Sequence, residues 1–150
     1  MSLITDPAGL RDLLAAARTI AIVGWSPDSA RPSHSIAEYL RAAGYLVFPV
    51  NPEVGRPSGD PAYPSLQDIP LPIDVVTVFR RPEFIPAVVE AALAVAAKAL
   101  WLQDGVVHPE AAQRAEAAGL CVVMDRCIRR DHRRFLAGSA APPSSTPLGP

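Results

Sequence analysis

Five stretches of this chain are apolar almost from end to end: residues 19–23, 45–50, 73–79, 99–102 and 120–124. A strand with one face in water alternates apolar and polar residues; runs like these are buried on both faces. The segments between several of them carry apolar residues at helical spacing, such as Ile36, Ala37 and Leu40, then Phe84, Val88, Ala91 and Val95. Fully apolar strands alternating with helices predict an α/β chain. The expectation is a Rossmann-like doubly wound parallel sheet in three layers, α/β/α.

A chain of 150 residues is about one domain. Residues 1–136 are read as that domain and 137–150, rich in Pro, Ser and Ala, as a disordered tail. Residues 1–18 hold a leading helix, with Asp6 as N-cap and Pro7 in the first turn. The helix after the first strand is expected from about Ser33 to Ala43, with Ser33 as its N-cap and Gly44 at its end. Residues 53–64 read as loop with a short edge strand near Tyr63, and Ser65–Ile69 as one helical turn. A helix over roughly 83–97 and another opening at His108 or Pro109 complete the alternation. The charged run 125–134 is expected on an exposed helix that includes Asp131 and His132.

Composition removes several function classes. Net charge is −1 and the isoelectric point is near 6.3, so no basic field attracts nucleic acid or acidic membranes. No apolar run reaches membrane-spanning length, and the N-terminus lacks the layout of a signal peptide. Two cysteines, Cys121 and Cys127, make no disulfide framework, and a cytoplasmic protein is expected. Cys121 reads as a core residue of the last strand and Cys127, beside Arg126, as a buried or a more reactive thiol.

In an open α/β sheet, ligands bind outside the carboxyl ends of the strands, where strand order reverses. Those ends are Gly24-Trp25-Ser26, Asn51-Pro52, Phe79-Arg80-Arg81 and Gln103-Asp104-Gly105. A strand, a glycine turn and a helix start present backbone N–H groups to a phosphate. Ser26 and Arg31 add a hydroxyl and a cation near it, and Arg80 and Arg81 place two more cations at a strand mouth.

The ligand is narrowed by what is missing. Of the dinucleotide fingerprint G-x-G-x-x-G, the stretch Gly24-Trp25-Ser26-Pro27-Asp28-Ser29 keeps only the first glycine. The second strand ends on Asn51 where an NAD site wants an acid. Lys98, the only lysine, lies far from any glycine loop, so no Walker loop exists. No nucleophile elbow and no paired His or Cys spacing suggests catalysis or a metal.

The chain resembles the small stand-alone CoA-binding proteins, whose fold matches the CoA-binding domain of the succinyl-CoA synthetase α subunit. The matching pieces run in order over residues 18–136: Ile20-Ala21-Ile22-Val23-Gly24-Trp25-Ser26, Arg31-Pro32-Ser33, Pro49-Val50-Asn51-Pro52, Tyr63-Pro64-Ser65-Leu66, Val78-Phe79-Arg80-Arg81, Trp101-Leu102-Gln103-Asp104-Gly105 and Val123-Met124-Asp125-Arg126-Cys127. Trp25 and Asp104 depart from the family's usual aliphatic or small residues. The resemblance implies binding of coenzyme A or an acyl-CoA. Phosphate would lie on Gly24, Ser26 and the helix at Ser33; Asn51, Pro52 and Phe79 would flank adenine or ribose; Arg31 and Arg80 would offset charge. The full expected binding set is Gly24, Trp25, Ser26, Arg31, Pro32, Ser33, Asn51, Pro52, Phe79, Arg80, Arg81, Gln103 and Gly105. The larger synthetases add a phosphohistidine segment and a second domain, which 150 residues do not accommodate. The expectation is therefore a non-catalytic carrier, sensor or partner module, with a protein partner or a homo-oligomer as its setting. The alternatives are an NAD(P)-type oxidoreductase or enzyme subunit completed by a partner, and a mixed disulfide between Cys127 and the CoA thiol.

Overall fold

The computed structural model describes residues 3–53 and 62–137. Five strands, β1 (Thr19–Val23), β2 (Leu46–Val50), β3 (Val75–Val78), β4 (Ala99–Leu102) and β5 (Cys121–Val123), form one parallel sheet in the order β2-β1-β3-β4-β5. The chain runs outward from β1 to β2, then crosses back over β1 to β3, so strand order reverses between β1 and β3. Thr19 and Val23 sit opposite Leu46 and Val50, and Val23 faces Val78 on its other side.

The uniform burial of β1, β3 and β4 has the expected cause: helices cover both faces. Helices α3 (Ile85–Ala94) and α4 (Pro109–Ala117) pack on the face carrying Ala21, Val23, Val76, Val78 and Leu100. On the other face, α1 (Pro7–Ala16), α2 (Pro32–Ala42) and α5 (Ile128–His132) cover Ile20, Ile22, Val75 and Trp101. Neither outer edge is bare. Tyr63 bridges to Val50 beyond β2, and the Ile4 N–H donates to the Val122 carbonyl beyond β5.

Local chemistry explains the helix ends. Asp6 caps α1 by accepting the Gly9 N–H at 2.9 Å, and Pro7 occupies the first turn. Gly44 ends α2 at φ +106°, a conformation that costs glycine little. The expected turn at 65–69 is a 3₁₀ turn at Leu66–Asp68. The expected helix over 83–97 divides into a 3₁₀ turn, Pro82–Phe84, and α3, whose first turn holds Pro86.

Four expectations are corrected. The helix after β1 begins at Pro32, with Arg31 at the N-cap; Ser33 lies inside the first turn. Proline at the first helical position loses no hydrogen bond and moves the start back by one residue. Strand 73–79 is shorter, Val75–Val78, because Asp74 turns its carboxylate onto the backbone of β1. Asp131 and His132 are buried, not exposed, at 1% and 3%. Cys121 is only half-buried, because β5 is an edge strand, whereas Cys127 is in the core. The expected tail, 138–150, lies outside the described residues, as do 54–61.

Candidate functional site

The crevice at the reversal point is set by one close approach. Gly24 has φ +86°, and a Cβ there would lie 2.8 Å from the Phe79 carbonyl oxygen and 3.0 Å from Arg80 Cδ. Only glycine lets the end of β1 lie this near the end of β3. Asn51 ties in β2: its Nδ2 donates to the Trp25 carbonyl at 2.7 Å, and its Oδ1 accepts the Glu53 N–H at 2.8 Å.

The loop between β1 and α2 is held by its own bonds. The N–H groups of Gly24 and Trp25 both donate to the Val50 carbonyl, at 3.1 and 3.3 Å. The Ser26 N–H donates to Ser33 Oγ at 3.0 Å, and Ser26 Oγ accepts the Asp28 N–H at 3.1 Å. Asp28 in turn accepts from Ala30. The expectation that this loop offers bare N–H groups at residues 24–26 is therefore corrected: a rigid turn has engaged them internally. In the first turn of α2, the His34 and Ser35 N–H groups share the Arg31 carbonyl, whereas the Ser33 N–H has no partner among the described residues. That donor and the positive end of the helix are the features here that could hold an anion.

On the α3 face, at the ends of β1 and β2, opens an apolar cleft of about 190 Å³. Val23, Val50, Pro52, Leu66, Arg80 and Phe84 are among the residues that line it. The Arg80 guanidinium lies 4.0 Å above the centre of the Phe84 ring, a cation–π contact. Arg80 has no carboxylate partner among the described residues, so its charge is available at the cleft mouth. The cleft is smaller than the ~300–1,000 Å³ of a pocket for a whole small molecule. It suits one ring or one arm of a larger ligand. Leu66 and Phe84 are not in the expected binding set; in sequence Phe84 reads only as one of the apolar residues at helical spacing, and Leu66 only as part of the piece Tyr63-Pro64-Ser65-Leu66.

A family model for the CoA binding domain matches residues 18–133, which takes in every element from β1 to α5. The chain belongs to the CoA-binding domain family. The protein YneT of Bacillus subtilis (strain 168) is 40% identical over 125 residues, 83% of this chain and 93% of that one. The structure titled cell-free ID.343 from Thermus thermophilus superposes with a TM-score of 0.83 at 38% identity, covering 88% of this chain and all of that one. An acetate–CoA ligase (ADP-forming) of Archaeoglobus fulgidus is 26% identical over 121 residues; the match covers 74% of this chain and 18% of the ligase.

Within this CoA-binding domain the expected site residues divide into groups. Gly24, Asn51, Pro52 and Arg80 lie together at the strand ends, Ser26 is in the loop that leaves β1, and Arg31 and Pro32 are exposed at the start of α2. Trp25 and Phe79 turn toward the α1–α2–α5 face; Trp25 is 6% exposed and stacks on His34, with ring centres 5.8 Å apart. Ser33 is buried and serves the loop through its oxygen. Arg81 points into solvent and lies 3.7 Å from Glu83. Gln103 and Gly105 are engaged elsewhere: Gln103 Oε1 accepts the Ile128 N–H at 2.9 Å, and the Gly105 N–H donates to Asp125 Oδ1 at 2.7 Å. Those two join β4 and β5 to α5. The same corner holds two bidentate pairs, Arg130 with Asp104 and Arg126 with the buried Asp131. The hydrogen bonds from Arg130 hold the Asp104 carboxyl below its ordinary range.

Among the described residues no group of three or more His, Cys, Asp or Glu side chains could hold a metal ion, and no helix is long and apolar enough to cross a membrane.

Proposed function

We propose that this protein binds coenzyme A or an acyl-CoA at the ends of β1, β2 and β3, as a carrier, sensor or partner module without catalytic groups of its own. The observation that carries this reading is the combination of a helix start suited to an anion, at α2, with an apolar cleft lined by Arg80, which has no carboxylate partner among the described residues. A nucleotide with phosphates and a flat ring needs both environments. Family membership supports the same ligand class. The thiol end would extend from the crevice, where the surroundings favour positioning over bond-making.

A thermal-shift panel of CoA, acetyl-CoA, NAD(H), NADP(H) and ATP tests this. CoA or acetyl-CoA is expected to raise the melting temperature more than the other ligands. Arg80→Ala is expected to weaken that effect about tenfold in ligand concentration, the loss of one charge-assisted contact. No shift with millimolar CoA, or a larger shift with NAD(H), would overturn the proposal.

A further inference from the structure

A second feature lies on the opposite face, away from the cleft. His132, on α5, is 3% exposed and is inserted between two tyrosines. Its Nδ1 lies 2.7 Å from the Tyr39 hydroxyl of α2. Its ring meets those of Tyr39 and Tyr45 edge-on, with centres 5.4 and 5.7 Å apart. Its Nε2 is fully buried and has no hydrogen-bond partner among the described residues. Either neutral tautomer leaves Nε2 in that state. One buried, unpaired polar atom is tolerable; a full charge on the ring with that atom made an unpaired donor is far less so.

The charged surroundings do not relieve this. From α2 comes Tyr39, and just before β2 comes Tyr45, whose hydroxyl donates to the Leu14 carbonyl of α1 at 2.6 Å. On α1 itself, Arg11 and Asp12 are exposed and lie 3.7 Å from one another. From the segment of His132, Arg133 stands 5.2 Å over the Tyr39 ring, and Arg129 reaches Ser35 Oγ at 3.3 Å. Both are cations. The nearest acid in sequence, Asp131, is held by Arg126 at 2.7 and 3.0 Å.

We infer that His132 is a proton-operated latch: neutral, it docks α5 and the helical turn after it, Arg133–Ala137, against α1 and α2; protonated, it releases them. Protonation takes one proton from solvent onto the bare ring nitrogen. Nδ1–H can then donate to the Tyr39 oxygen, but Nε2–H has no acceptor among the described residues. Burial already holds the His132 imidazole below the ordinary histidine range. The folded state therefore binds fewer protons than the unfolded one. The latch is fully engaged above the ordinary histidine value, near pH 6.5, and is lost as pH falls from there through the lower folded value. Release would also free Arg129 from Ser35, near the start of α2.

Amide hydrogen exchange on the full chain without ligand tests this, after correction for intrinsic rates, at about pH 7.5 and about pH 5. Protection of residues 129–136 is expected to fall about tenfold or more at the lower pH, while that of β1 and β4 changes less than about threefold. In His132→Phe, which keeps a ring and removes the proton site, the selective fall is expected to disappear. An equal fall in the variant, or a uniform fall over the sheet, would overturn the inference. Ring-proton titration by NMR needs no variant. The His132 signal is expected to stay neutral to below the ordinary histidine value, near pH 6.5, and to change together with segment opening. Titration of His132 with 129–136 still protected would overturn it.

Discussion

At position 24 a side chain would have to occupy space already filled by the Phe79 carbonyl, and the backbone is in the left-handed region as well. Gly24→Ala is therefore expected to cost about 1–3 kcal/mol, a loss of several degrees in melting temperature, measurable by calorimetry. CoA affinity should fall with it, because β1 and β3 could no longer meet. Thr77 presents the opposite case. It is wholly buried between Ile22 and Trp101 in the sheet, and its hydroxyl has no partner among the described residues. Valine has nearly the same shape without the polar atom. Thr77→Val is expected to stabilise by about 1 kcal/mol, raising the melting temperature by roughly 3 °C; a drop would show that the hydroxyl is satisfied in solution.

Between elements, Asp74 does for the sheet what Gly24 does for the crevice. Its carboxylate accepts the N–H groups of Arg18 and Thr19 at 2.8 and 3.2 Å and lies 3.6 Å from the Lys98 ammonium. Its own N–H returns to Thr19 Oγ1 at 2.8 Å. Burial raises the Asp74 pKa, but the two backbone donors and Lys98 outweigh it, so the carboxyl sits below its ordinary range. The sign follows from that direction. Asp74 contributes stability above about pH 4, and the contribution is lost as pH falls through the lower folded value. Asp74→Asn should be less stable than wild type at neutral pH, with the gap closing toward pH 3 in chemical denaturation. A gap that is the same at both pH values would remove the charge from this account. Sequence showed an aspartate inside an apolar run and nothing of its partners, of which the two backbone donors lie 55 and 56 positions earlier.

For the molecule as a whole, binding and folding are linked. A ligand held only by the folded state at a hundredfold its dissociation constant adds about 2.7 kcal/mol, and for 150 residues that is roughly 5–10 °C. The shift should follow the logarithm of CoA concentration, and it should be reduced in Arg80→Ala without a fall in the melting temperature of the free protein, since Arg80 leaves no buried partner behind. A destabilised free variant would instead assign Arg80 a packing role on Phe84.

What sequence determined by itself is the set of elements and the address of the crevice. The runs at 19–23 and 99–102 are strands with those same bounds, Asp6-Pro7 starts a helix and Gly44 ends one, because burial on both faces, caps and turns are chemistry written within a few residues. Gly24, Asn51 and Arg80 could be named because strand ends in such a sheet converge. Tertiary structure alone decided which side each side chain took. It turned Trp25 inward onto His34, engaged the loop N–H groups on Val50 and Ser33, and drew Gln103 to α5. It also buried Asp131 and His132 within a run of charges. Several of those outcomes depend on partners far away in the chain: Gln103 lies 25 positions from Ile128, and Tyr39 lies 93 positions from His132. Most buried polar groups take a hydrogen bond from a partner elsewhere in the fold, and no local pattern records where that partner will lie.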